Sequence, residues 1–164
     1  MLLYNLLWKK KWRREKNINL DINERFIKCF QKPIDICIIE ILQKDNISEN
    51  KFLSPDLNYK QGYNYYKNKS IYLAGYPKVL NNFGERHISS GLINVIKNYE
   101  FEHNLDTRDG SIGSPICLVH NLLVIGIHKG GNKINGKNYG TFLGVIIDDF
   151  CKTEIKIKEK KNIL

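Results

Sequence analysis

Between Ser70 and Ile146 the chain breaks into short apolar runs about ten residues apart, each bounded by turn-forming residues. The runs are Ser70–Ala74, His87–Ile96, Asn98–Leu105, Ile116–Val119, Leu122–Ile127 and Gly140–Ile146. They read as short strands, and a series of them at this spacing favours a closed barrel or a sandwich. The expected fold class is therefore all-β, a barrel or a sandwich. Ahead of the series, Ile34–Leu42 (IDICIIEIL) is apolar and β-branched, which predicts a strand buried on both faces. A polar, Asn- and Tyr-rich stretch from Gln43 to Lys69 separates it from the rest, with Pro55 and Gly62 as breakers. Gly75-Tyr76-Pro77 reads as a turn that stops the Ser70–Ala74 strand. Thr153–Ile157 is one further strand candidate, and the little helical signal lies in Asp148–Cys151 and the Lys-rich end.

A length of 164 residues leaves no room for two full-sized domains, and 42% hydrophobic residues are enough for a core. No apolar run reaches the ~18 to 20 residues of a bilayer-spanning helix. The opening apolar patch precedes its basic cluster, the reverse of a secretory signal, so neither a signal peptide nor a transmembrane segment is expected. The net charge of +9 is concentrated at the ends. Residues 1–16 hold six Lys/Arg and one Glu, and residues 152–164 hold five Lys and two Glu, so residues 17–151 carry only +1. Basicity confined to the tails speaks against a folded nucleic-acid surface, and nucleic acid is not the expected partner. Residues 1–24 are expected to be a disordered basic segment, 25–151 the folded domain, and 152–164 a Lys-rich tail.

The four cysteines, Cys29, Cys37, Cys117 and Cys151, are far apart and form no C-x-x-C pair. Neither they nor the histidines have metal-ligand spacing, and no cofactor motif is present, so no metal and no cofactor are expected. Cys37 and Cys117 lie in apolar runs, where a free thiol packs as a small hydrophobe. Buried thiols in a reduced, intracellular setting are the expectation.

Three segments carry the chemistry, and each has a bland alternative. Asp35 opens an apolar strand, where a carboxylate is costly unless paired; a strand-end Asp held by backbone donors is the alternative. Asp106–Pro115 (DTRDGSIGSP) has glycines spaced so that backbone N–H groups can turn toward one point, as an oxyanion hole requires; a plain Gly-rich hairpin loop is the alternative. Val124–Asn132 (VIGIHKGGN) is a strand running into glycines, which would leave an extended edge free for a ligand's main chain; a strand entering a turn is the alternative.

Together and in this order, over about residues 33–150, the segments resemble the C-terminal half of the chymotrypsin-like serine peptidases, nearest the glutamyl-endopeptidase branch. The resemblance rests on the Asp35 strand, the Gly75-Tyr76-Pro77 turn, T-R-D-G-S-I-G-S-P from Thr107 to Pro115, and the octet VIGIHKGG. It implies a six-stranded antiparallel Greek-key barrel with a remnant strand of a second barrel at its N-terminal side. Asp35 falls on the triad aspartate. Gly110 and Ile112 supply the oxyanion-hole N–H groups. Thr107 and His128 fall on the pocket for a glutamate side chain, and Lys129, Gly130 and Gly131 on the edge that pairs with a bound peptide.

The departures from the family pattern weigh as much. The nucleophile position holds Ile112, which has neither a proton to lose nor a lone pair to attack with. Ser111 and Ser114 flank it at positions that do not face the substrate carbonyl in the family. The triad histidine precedes the aspartate strand in the family, and none of the 34 residues before Asp35 is His. Three readings stay open: a catalytically inactive serine endopeptidase homologue that binds peptide or protein ligands, a truncated piece of a larger serine endopeptidase, and a basic-tail adaptor for nucleic acid or acidic membrane. Half of a two-barrel protein should also expose an apolar face, expected along Ile34–Leu42 and Ile71–Leu73, that self-association or a partner chain would cover.

Overall fold

A computed structural model describes residues 20–76, 87–132 and 134–161, with side chains to residue 152. The chain divides into two compact units, Met1–Pro55 and Asp56–Leu164.

In the first unit, β1 (Ile27–Phe30) and β2 (Ile36–Ile39) form an antiparallel hairpin. The predicted Ile34–Leu42 strand is shorter than expected, and none of its residues is fully buried. The cause is local. The Gln31 carbonyl accepts from the N–H groups of both Ile34 and Asp35, and Asp35 has φ 55°, so the chain is still turning there. Cys29 and Cys37 stand opposite each other across the hairpin and are joined in a disulfide, and Cys151 is exposed. The expectation of buried thiols therefore holds for Cys117 alone. It failed for Cys37 because β1, too short and too polar to be noticed, brings Cys29 into register with it. Arg25 grips both carboxylate oxygens of Asp45 at 2.9 Å, and this holds the Asp45 carboxyl down to about 2.

The second unit is a closed barrel of β3 (Ser70–Gly75), β4 (His87–Lys97), β5 (Glu100–His103), β6 (Pro115–Leu118), β7 (Val124–Asn132) and β8 (Lys137–Phe142), in the order β3-β4-β5-β8-β7-β6. All neighbours are antiparallel, and the ring closes where Ile71, Tyr72 and Leu73 meet Leu118, Cys117 and Ile116. Its inner face is filled by Ile71, Leu73, Ile93, Phe101, Ile116, Leu118, Val124 and Phe142, all nearly inaccessible. Ile71 and Leu73 are thus core residues, not part of an uncovered face. The Phe101 ring stands 4.4 Å from that of Phe142 and lies flat against Gly126 and Gly140, where any Cβ would collide with it.

The strand expected over Gly140–Ile146 ends at Phe142, and the one expected over Thr153–Ile157 is helix. Helix α1 runs from Gly144 to Lys161. Its first turn is anchored by buried Ile146 and Ile147, by their N–H bonds to the Leu143 carbonyl, and by the Tyr59 hydroxyl donating to Asp148 at 2.9 Å. Once nucleated, the helix propagates through Lys and Glu, both good helix formers, and the Ile-Lys alternation that suggested a strand is overridden. Among the described residues no helix is long and apolar enough to cross a membrane. Most of the basic N-terminal segment and Pro77 of the Gly-Tyr-Pro turn lie outside the described residues.

Candidate functional site

The ring order dictates where a site can form. β5 and β6 are consecutive in sequence but occupy opposite positions in the six-strand ring. Their connection, residues 104–114, therefore cannot be a hairpin and must cross one end of the barrel. This connection holds the Gly-rich string.

Hydrogen bonds fix its shape. The Ser111 N–H donates to the Arg108 carbonyl at 3.0 Å, and the Ser111 hydroxyl accepts from the Arg108 N–H at 3.2 Å. Gly110 sits in this tight turn at φ 89°, a conformation that favours glycine. The Gly113 N–H donates to the His128 carbonyl at 2.8 Å, and the His128 N–H to the Ser114 carbonyl at 2.9 Å, so the loop is laced to β7. Four N–H groups of the connection remain, those of Thr107, Asp109, Gly110 and Ile112. Among the described residues neither Gly110 nor Ile112 has an acceptor for its N–H. The serines between and beyond them face inward: Ser111 is 2% exposed, and the Ser114 hydroxyl packs onto the Cα of Gly75. Ile112 instead is 71% exposed, with Cδ1 3.8 Å from where a Gly130 Cβ would stand.

His128 and His103 lie on the inner face at this end of the barrel, each 2% exposed, His103 Nε2 being 3.2 Å from His128 Nδ1. The tautomers follow from the partners. His103 Nδ1 accepts the Leu105 N–H at 3.3 Å, so its proton is on Nε2 and points at His128 Nδ1. The His128 proton must then be on Nε2. Burial pushes both below the usual histidine range, His103 to about 4 with the His128 charge adding to the effect, while the Tyr139 carbonyl pulls each part of the way back.

Thr107 donates to the Asn138 side-chain carbonyl at 2.9 Å, and the Asn138 amide donates to the Leu105 carbonyl at 2.8 Å. The same Asn138 carbonyl rests against Gly131. Asn138 thereby ties the start of the crossing loop to the glycine edge, a role no motif announced. Lys129, Gly130 and Gly131 line an open cleft of about 670 Å³ with Glu100, Asn132, Ile134 and Tyr139. β7 changes register with β8 between His128 and Gly130, and its pairing with β6 stops at Ile127. Beyond the two bonds of His128 to the loop, one side of the Gly130–Asn132 segment has no strand beside it among the described residues.

The structure thus brings Gly110, Ile112, Thr107, His128, Lys129, Gly130 and Gly131 to one end of the barrel. Asp35 belongs to the first unit, where it is exposed in the turn just before β2. No cluster of His, Cys, Asp and Glu able to hold a metal occurs among the described residues.

No protein-family profile and no curated protein matches the chain. Solved structures do. One is a Glu endopeptidase in complex with MPD, at 18% identity and a TM-score of 0.50, over 62% of this chain and 47% of that one. Another is a cysteine-to-alanine mutant of tobacco etch virus protease, at 17% identity and 0.50, over 75% and 51%. A third is the inactive, serine-to-alanine form of Rv3671c from M. tuberculosis H37Rv, at 14% identity and 0.50, over 79% and 64%. The fold is that of the chymotrypsin-like serine and cysteine proteases, and the chain spans 47 to 64% of the length of these three structures.

Proposed function

We propose that this chain is a catalytically silent relative of the chymotrypsin-like serine peptidases that binds peptide. The observation that carries the reading is Ile112, exposed on the crossing loop where the family's pattern places the nucleophile. An aliphatic carbon cannot attack a carbonyl. Ser111 and Ser114 do not stand in for it, because one shapes the turn and the other packs on Gly75. Asp35 occupies the triad-aspartate position of the family pattern in this reading, without a partner to orient. His103 and His128 are engaged with each other inside the barrel.

The main-chain apparatus for holding a peptide is separate from the lost chemistry. In this reading the Gly110 and Ile112 N–H groups receive a carbonyl oxygen, since the change at Ile112 alters only the side chain. The open side of Gly130–Gly131 pairs with a ligand strand by β-augmentation, and Lys129 lines the cleft beneath it. Thr107 and His128 fall on the family's pocket for an acidic side chain, and in this reading an entering carboxylate takes the Thr107 proton from Asn138. That the chain spans 47 to 64% of the matched structures favours a second reading, a piece of a longer peptidase. Ile112 would leave such a peptidase without its nucleophile as well.

The test pairs binding with chemistry. A Glu-containing fluorogenic peptide should not be turned over, and on titration either it or the peptide ending at its glutamate should shift the NMR amide signals of residues 129–132. Ile112→Ser should remain inert toward the same peptide and toward a serine-directed phosphonylating reagent, because a lone serine without a base gains little. Turnover, or labelling of the introduced serine, would overturn the silent reading. Amide signals of 129–132 that stay in place with both peptides at millimolar concentration would overturn the binding reading.

A further inference from the structure

Resting on the peptide-binding reading, we propose that the ligand is a peptide C-terminus, its terminal carboxylate held by the Gly110 and Ile112 N–H groups. Three observations meet at this spot. First, these two N–H groups have no acceptor among the described residues, while the Ser111 N–H between them is used inside the turn. Both belong to exposed residues, and the positive φ of Gly110 lets its N–H turn out of the loop. Unpaired N–H donors close together on one turn, here two residues apart, make a place suited to an anion.

Second, the donors adjoin the cleft along β7, because Ile112 reaches across to Gly130. In the proposal, a strand laid on the open side of Gly130–Gly131 ends at the donor pair. Third, the exposed Ile112 side chain stands beside the cleft, its Cδ1 3.8 Å from where a Gly130 Cβ would stand. In the proposal it bars the way to a strand that runs on past the donors. A serine there would leave room for the chain to pass, whereas an isoleucine adds three carbons in its path. A ligand that stops at the donors fits, and one that runs on collides. The same substitution that removes the nucleophile therefore selects for a chain end.

Charge near the loop is mixed. The Arg108 guanidinium is exposed and has no ion-pair partner among the described residues, and it adds to the attraction. Asp109, equally exposed and next to Gly110, opposes it. Asp109→Asn is therefore expected to tighten binding of a chain end severalfold.

The test uses the full 164-residue chain and one acetylated tetrapeptide ending in glutamate, offered as free acid, as C-terminal amide, and extended by two alanines. The free acid should bind about tenfold or more tightly than the amide, the worth of a hydrogen bond to a charged group. It should also move the Gly110 and Ile112 amide resonances downfield, and the extended peptide should bind worst. In Ile112→Ala the extended peptide should recover while the free acid keeps its advantage over the amide. Equal binding of all three forms, or a preference for the extended one, would overturn the chain-end proposal and leave peptide binding standing. No binding by any form would overturn both.

Discussion

At the scale of single residues, the site is made of groups whose neighbours leave them little freedom. His103 and His128 illustrate this and carry a pH signature. In the unfolded chain each takes up a proton near pH 6.5, whereas burial holds both below that value in the barrel, His103 at about 4. Between those values the unfolded state binds more protons, so stability falls as pH falls. The melting temperature of the barrel is expected to be flat above about pH 6.5 and to drop between there and about pH 4. Asp45, Glu24 and Glu102, whose carboxyls are also held below their usual range, add to the fall only below about pH 5. His103→Leu with His128→Phe should remove most of the slope, and an unchanged slope in the double variant would refute the assignment. His128 could be singled out from the sequence because it sits in an octet. His103 and Asn138 could not, because their contacts join residues 25 and 31 positions apart across strands whose register no local pattern encodes.

At the scale of elements, the barrel strands were legible for a simple reason. Each is a short apolar run between breakers, and the ends of β3, β4 and β6 fall within a residue or two of the expected ones. β1 was missed because Ile27–Phe30 has one charged residue in four and no turn signal before it. Of α1 only Asp148–Cys151 and the Lys-rich end were legible, because its first residues are β-branched and Thr153–Ile157 alternates. The glycines of β7 and β8 show how tightly elements are fitted: Gly126 and Gly140 are flat ground for the Phe101 ring. Gly140→Ala should cost about 1 to 3 kcal/mol, the usual range for forcing a methyl group into a packed core. Chemical denaturation of the variant against the parent measures it. Phe101→Leu in the Gly140→Ala background should recover part of the loss if the ring is the obstacle, and no recovery would place the strain elsewhere.

At the scale of the whole molecule, the two units are stabilised by different means. The disulfide joins residues of the first unit alone, while the barrel closes through its own strands. Mild reduction is expected to loosen the β1–β2 hairpin and leave unfolding of the barrel, followed by near-ultraviolet circular dichroism of its aromatic cluster, unchanged. A barrel transition that moves on reduction would contradict this. Ring order also has a consequence in time. The β3–β4, β4–β5, β6–β7 and β7–β8 pairs join neighbours in sequence and can form early, whereas β3–β6 and β5–β8 bring together segments far apart along the chain and must wait for larger loops to close. The crossing loop hangs between the two late seams. A chain caught before closure would have every hairpin of the barrel and none of the site.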